Sequence, residues 1–283
     1  MSRPFLLIAA LLLATPAARA QAPKELGPGD HRLWLNVGEL LREYLVHVPQ
    51  RYRRALPAPL VFVFHGSGGS LDEMAHLSGW TVKSEDQNFL VVYPNGFPND
   101  EAMRVWNDGR PGMDPRQNDV PFVQAMLDEL DRRFSVDHNR IYLVGFSNGA
   151  GLAYRLAIQL NDRIASFAAV AGGLHYRSEP AGRPVSAIII AGTDDPGIAA
   201  EEAGARRWAD FVGCDAHEGP PVTRGRYVLV GFQGCPRDVD VLFYRITGWG
   251  HYWPGGRNPG VRMWAENVIW RFFEQHPMKL PAR

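Results

Sequence analysis

Arg140-Ile141-Tyr142-Leu143-Val144-Gly145-Phe146-Ser147-Asn148-Gly149-Ala150-Gly151 is the stretch whose reading decides the fold. Its first half is β-branched and large apolar, which predicts a buried strand, and the residues from Ala150 to Leu160 predict a helix. Between them stands a turn with a serine at its apex. A strand-to-helix turn this sharp leaves no room for side chains two positions either side of Ser147, which is the reason glycine occupies 145 and 149. Backbone strain there lifts the hydroxyl clear of the sheet. With 29 glycines in the chain the bare GxSxG string is weak; its place between strand and helix makes Ser147 the candidate nucleophile.

Working outward, short apolar runs alternate with helical patterns. Strands are predicted at Arg32 to Asn36, Glu43 to Val48, Leu60 to Phe64, Phe89 to Tyr93, Ser166 to Ala171, Val185 to Ala191 and Val239 to Ile246. Helices are predicted from Leu71, capped by Ser70, to about Lys83, then over Val120 to Phe134, Ala199 to Phe211 and Val261 to Phe273. Repeated strand-then-helix units imply right-handed crossovers: an α/β architecture with a mostly parallel central sheet and helices on both faces. Phe97 to Asn118 is the longest irregular stretch, rich in Pro, Gly, Asn and Asp, of the kind that either lines a site or is disordered.

A serine hydroxyl needs a base beside it, and the base needs an acid to fix its tautomer. The Val185 strand ends in Gly192-Thr193-Asp194-Asp195-Pro196, and the last strand leads into Thr247-Gly248-Trp249-Gly250-His251. Both therefore deliver their residues to the carboxyl edge of the sheet, in the chain order Ser, Asp, His expected of an α/β-hydrolase fold. His251 is the candidate base. Asp194 and Asp195 follow the same strand and are not separated by this logic; one faces His251 while the other caps the turn before Pro196. Of nine histidines only His65 also stands just past a strand among glycines, and its expected task is to brace the loop His65-Gly66-Ser67-Gly68-Gly69. Attack on a carbonyl creates an oxyanion, for which the backbone N–H groups of Asn148 and Ser67 are the candidate donors. HGSGG is followed by no Lys-Ser/Thr, so it does not read as a phosphate loop.

Arg3, the apolar run Phe5 to Ala14 and the small-residue site Ala18-Arg19-Ala20 predict a cleavable export signal over residues 1–20, leaving one catalytic domain over 21–283. Thirty basic residues balance thirty acidic ones, and loss of Arg3 and Arg19 leaves a formal charge near minus two. No basic block points to nucleic acid, and no later run is long enough for stable membrane insertion. In an oxidising compartment Cys214 and Cys235 are expected to form a disulfide worth about 3 kcal/mol. The chemistry calls for no metal or organic cofactor.

The set HGSGG, YPNG (Tyr93 to Gly96), GFSNG, AGTDDP (Ala191 to Pro196) and GWGHYWPGG (Gly248 to Gly256) resembles the secreted esterase family that includes polyhydroxybutyrate depolymerase-like enzymes and related feruloyl and acetylxylan esterases. The similarity spans about Glu43 to Phe273 and is most specific over His251 to Gly256. It implies a serine carboxylic-ester hydrolase, secreted or periplasmic, acting on hydroxyalkanoate oligoesters or on feruloyl and acetyl esters of plant polysaccharides. The family pattern His-Gly-Thr-x-Asp places its acid on Asp195 rather than Asp194. Ala191 stands where that pattern often has histidine, and Pro121 and Ala150 where glycine is common, which leaves the triad intact and loosens the inference about substrate. Trp253, beside the base, and Trp106, on the long loop, are expected to wall the acyl group. The competing functions are a serine peptidase of the same fold and a polysaccharide-binding protein without catalysis.

Overall fold

The computed structural model describes residues 26–99, 102–114, 117–178, 182–215, 217–258, 260 and 263–279; the expected export signal lies outside them. In chain order the elements are β1 (Gly29–Val37), β2 (Leu40–Val48), β3 (Ala58–Phe64), α1 (Leu71–Leu77), α2 (Trp80–Gln87), β4 (Leu90–Pro94), the small pair β5 (Phe97–Pro98) and β6 (Arg104–Val105), α3 (Asp119–Arg133), β7 (Val136–Phe146), α4 (Asn148–Gln159), β8 (Ser166–Val170), β9 (Ser186–Gly192), α5 (Ile198–Phe211), β10 (Val222–Arg224), β11 (Tyr227–Gly231), β12 (Val241–Ile246) and α6 (Ala265–Gln275).

Ten strands form one sheet in the order β1-β2-β4-β3-β7-β8-β9-β12-β11-β10. The six from β4 to β12 run parallel, β2 joins them antiparallel through Tyr44–Pro94, and hairpins close both ends. Successive side chains on a strand point to opposite faces, so wholly apolar strands feed two cores. Leu60, Phe62 and Phe64 of β3 face α3, α4 and α5, where Phe122, Met126, Leu156 and Trp208 fill the layer. Val61 and Val63 face α1, α2 and α6, against Met74, Trp80, Ile269 and Phe273. Helices thus cover both faces, and every parallel strand points its carboxyl end at one edge.

Three departures from the sequence reading have local causes. The helix expected from Leu71 to Lys83 is two helices, because Gly79 adopts φ +80° between them and any Cβ there would come within 3.1 Å of Glu266 and of Gly256. Ser70 caps the first as expected, its hydroxyl accepting from Glu73 N–H at 3.1 Å. The hairpin β10–β11, turning at Gly225-Arg226, lies between the two cysteines, where no strand is expected; its first strand is exposed throughout and carries no apolar alternation. The last helix starts at Ala265, after the non-helical Met263 and Trp264; its expected start, Val261, lies outside the described residues. Cys214, beyond α5, is bonded to Cys235 between β11 and β12.

Candidate active site

Ser147 sits between β7 and α4 with φ +55° and ψ −118°, a conformation that costs of order 1–3 kcal/mol for a residue with a side chain. Its neighbours make that conformation the one that fits. A Cβ at Gly145 would lie 2.1 Å from Gly149 O, one at Gly149 2.5 Å from His65 O, and one at Gly172 2.2 Å from Ser147 O. Ser147 N–H donates to Val170 O at 2.8 Å, tying the turn to β8.

The acid and base arrive from the ends of β9 and β12, which are neighbours in the sheet. Gly192 lets their loops touch, since a Cβ there would lie 1.9 Å from Trp249 O, and Asp194 N–H donates to the same carbonyl at 2.9 Å. His251 Nδ1 lies 2.7 Å from Asp195 Oδ2, and Nε2 lies 2.8 Å from Ser147 Oγ. Asp195 is buried while the imidazole is 44% exposed, so the base reaches solvent and the acid does not. Asp194, exposed, accepts only from the Thr193 hydroxyl at 3.1 Å. It caps nothing: Asp195 performs both tasks foreseen for the pair, its Oδ1 accepting from Gly197 N–H at 2.8 Å.

Ser67 and Asn148 line one cleft of about 230 Å³ with Val105, Arg110, Met113 and Gln117. Gly66 permits the approach, for a Cβ there would lie 3.1 Å from Ser147 Cβ. Gly68 N–H pins this loop to Arg104 O at 2.8 Å. His65 is buried beneath it; Nδ1 donates to Gly66 O at 2.6 Å and Nε2 accepts from Gly96 N–H at 2.9 Å. Burial pushes its imidazole down to about 4, so it stays neutral with one tautomer fixed. Asn148 stands at the first turn of α4, where free N–H groups and the helix dipole favour negative charge. The geometry can therefore support proton transfer from a hydroxyl to an imidazole beside a cleft suited to an oxyanion. A larger groove of about 850 Å³ on the α1–α2–α6 side holds none of these groups.

Residues 44–195 match the family model for esterase PHB depolymerase. The chain belongs to that family. It has the α/β-hydrolase fold and is a carboxylic-ester hydrolase. The chain is similar to feruloyl esterase D of Neurospora crassa, 29% identical over 96% of both chains, and to feruloyl esterase C of Emericella nidulans, 26% identical over 82% of this chain and 83% of that one. The solved acetyl xylan esterase from Aspergillus awamori has the same fold, with TM-score 0.67, 14% identity, and 87% of this chain and 99% of that one covered.

Within this esterase, the aromatic wall expected from Trp106 and Trp253 is not there. Both indoles are buried, and each has spent its N–H on a carbonyl: Trp106 Nε1 donates to His65 O at 2.8 Å, and Trp253 Nε1 to Ser78 O at 3.1 Å. They support the site from below. The large side chains exposed beside it are Tyr252, next to the base, and Met103, close to Gly68. Sequence reasoning also passed over a buried polar network that organises the long loop. Asn148 Oδ1 accepts from Trp106 N–H at 2.6 Å and Nδ2 donates to Trp106 O at 3.0 Å, while Asp119 accepts from Asn107 N–H at 2.7 Å and pairs with Arg42 at 2.7 Å. The many Asn and Asp residues in that stretch were its signal. Among the described residues, Asp195, Glu201 and His251 are the one group whose oxygen and nitrogen atoms lie close enough to hold a metal ion, within 4.8 Å of one another, and two of the three already bond each other.

Proposed function

We propose that Ser147 attacks an ester carbonyl, that His251 takes its proton and delivers it to the departing alcohol, and that Asp195 orients the imidazole. The N–H groups of Asn148 and Ser67 hold the oxyanion, and water, activated by His251, then hydrolyses the acyl-enzyme. The unbroken chain Asp195–His251–Ser147, at 2.7 and 2.8 Å, is the observation that carries this reading. The substrates are feruloyl or acetyl esters of plant polysaccharides, or hydroxyalkanoate oligoesters, with Tyr252 and Met103 as the exposed apolar contacts for the acyl group. Similarity to the two feruloyl esterases over most of their length supports the first class. We further propose that residues 1–20 direct export, which the Cys214–Cys235 bond supports.

The test compares purified wild type and Ser147→Ala on methyl ferulate, a p-nitrophenyl acetate-to-octanoate series, hydroxybutyrate oligomers and peptide anilides. Ester cleavage by wild type alone is expected. Equal rates for the two proteins would refute the role of Ser147, and cleavage of the anilides in preference to every ester would make the protein a peptidase.

A further inference from the structure

One titratable side chain beside the relay has no part in the mechanism above. Glu201 lies in the first turn of α5 and is buried, 2% exposed. Its carboxyl lies beside that of Asp195, the two offering oxygens within 4.8 Å of each other and of a His251 ring nitrogen, and its Oε2 is buried with no partner among the described residues. A Cβ built on Gly197 would lie 3.2 Å from Asp195 Oδ1 and 3.3 Å from Glu201 Oε1, so both carboxyls border the same point of the loop. Two buried carboxyls in contact cannot both be ionised without a cation between them. Both oxygens of Asp195 already accept, Oδ2 facing His251 Nδ1 and Oδ1 taking Gly197 N–H, whereas Glu201 Oε2 faces no partner among the described residues. The proton therefore belongs to Glu201.

We propose that Glu201 is a positioning residue for the Ser147–His251–Asp195 relay, its carboxyl O–H donating a hydrogen bond to Asp195. This rests on the catalytic reading above. With Gly197 N–H and Glu201 O–H on the acid, the oxygen facing the imidazole keeps its direction while His251 carries the proton from Ser147.

The groups around Glu201 make this support pH-dependent. The charges acting on it, Asp195 and Glu202, are both negative, and together with burial they push its carboxyl up to about 8. Glu202, on the same helix, is itself paired with Arg245 at 2.8 Å and lies 3.9 Å from Arg206. From α4 the Tyr154 phenol, kept neutral by burial, lies near enough that an ionised Glu201 would act on it, and His251 approaches from the β12–α6 loop. Among the described residues, the charged groups acting on Glu201 are both acidic, and His251 is the one neighbour here that could balance a second negative charge. When Glu201 ionises, the donor is lost and two carboxylates repel, so the acid is displaced from the imidazole.

The experiment measures kcat and KM for p-nitrophenyl acetate from pH 5 to 10 with wild type, Glu201→Gln, Glu201→Leu and Ser147→Ala, the last also serving as the blank. Wild type is expected to lose activity through an inflection near pH 8. Glu201→Leu loses the donor, lowering kcat about tenfold at pH 7 with KM unchanged. Glu201→Gln keeps an N–H donor and cannot ionise, so it recovers most of that loss and shows no alkaline inflection. A group that merely filled space would leave the inflection in place. The proposal is overturned if wild type is flat to pH 10, or if Glu201→Gln retains the fall near pH 8. It is overturned too if a folded Glu201→Leu matches wild type; should that variant fail to fold, the Glu201→Gln profile decides alone. Failure of the catalytic reading shows separately, as an active Ser147→Ala.

Discussion

Arg42 and Asp119 form a buried ion pair whose removal tests how the long loop is held beside the site. The guanidinium and the carboxylate are 3% and 0% exposed and 2.7 Å apart. Arg42 also donates to Asn95 O at 3.2 Å and lies 4.2 Å from the centre of the Phe122 ring. The other oxygen of Asp119 accepts from Asn107 N–H. Arg42→Met keeps most of the volume and strands the carboxylate, which should cost about 3–5 kcal/mol of unfolding free energy near pH 8. Burial already holds Asp119 above the ordinary carboxylate range in spite of Arg42. Without the guanidinium it rises further, so the folded variant binds a proton that its unfolded chain, titrating near about 3.9, has released. Stability of the variant then falls relative to wild type as pH rises, by up to about 1.4 kcal/mol per unit, until the folded carboxyl itself ionises. Urea unfolding at pH 5 and pH 8 measures this. The double variant Arg42→Met/Asp119→Asn, uncharged but with an amide oxygen left for Asn107, should exceed the single variant at pH 8 and match it more closely at pH 5. A single-variant loss below about 1 kcal/mol at pH 8, or one that is the same at both pH values, would refute the reasoning.

Asp195→Asn is expected to lower kcat about 10⁴-fold, because an amide presents the wrong partner to the imidazole; Asp194→Asn, whose exposed side chain accepts from the Thr193 hydroxyl and touches neither His251 nor Ser147, should stay within a few-fold of wild type in the same ester assay. Gly145→Ala drives a methyl to 2.1 Å from Gly149 O and should abolish activity or lower the melting temperature by several degrees, read by calorimetry. Trp106→Phe leaves His65 O without its indole donor and should cost about 1–3 kcal/mol in urea unfolding, with kcat falling because the oxyanion loop is freed.

Much of this site is legible in the sequence because its parts follow strands. Ile141 to Val144 and Val185 to Ala191 are almost wholly apolar, which marks buried parallel strands, the run before Thr247 is apolar apart from Asp240 and Arg245, and the residue after each run must emerge at the same edge. Glycine at 145, 149 and 192 carries the same information, since those turns admit no side chain. What is not legible depends on a rotation of one residue or on burial within a loop. Asp194 and Asp195 differ only in which way the turn points them, set by Asp195 N–H donating to Gly192 O at 3.1 Å. An aromatic in a polar loop reads alike as a wall or as an anchor, and Trp106 is an anchor because the loop turns its polar groups inward. Asp119 looks like an ordinary acidic residue in a first helical turn; only its contact with Arg42, distant in sequence, reveals an ion pair.

Asn148 shows why a stretch with so little regular structure stays in place beside the nucleophile. Its amide grips Trp106 at both backbone polar atoms, and its Nδ2 also donates to Asp108 at 3.1 Å. The Trp106 indole in turn holds His65 O, in the segment that carries Ser67. One side chain thus connects the turn after β7, the loop after β3 and the Phe97–Asn118 connection. The bonds are buried, where an unmade partner costs about 1–3 kcal/mol, so loosening any one segment exposes the others to that penalty. Ser147 can keep its unfavourable backbone angles because the residue after it is anchored from its side chain as well as through α4. The same anchoring fixes the Asn148 N–H relative to the Ser67 loop, so the strained turn and the cleft that Ser67 and Asn148 line share one support.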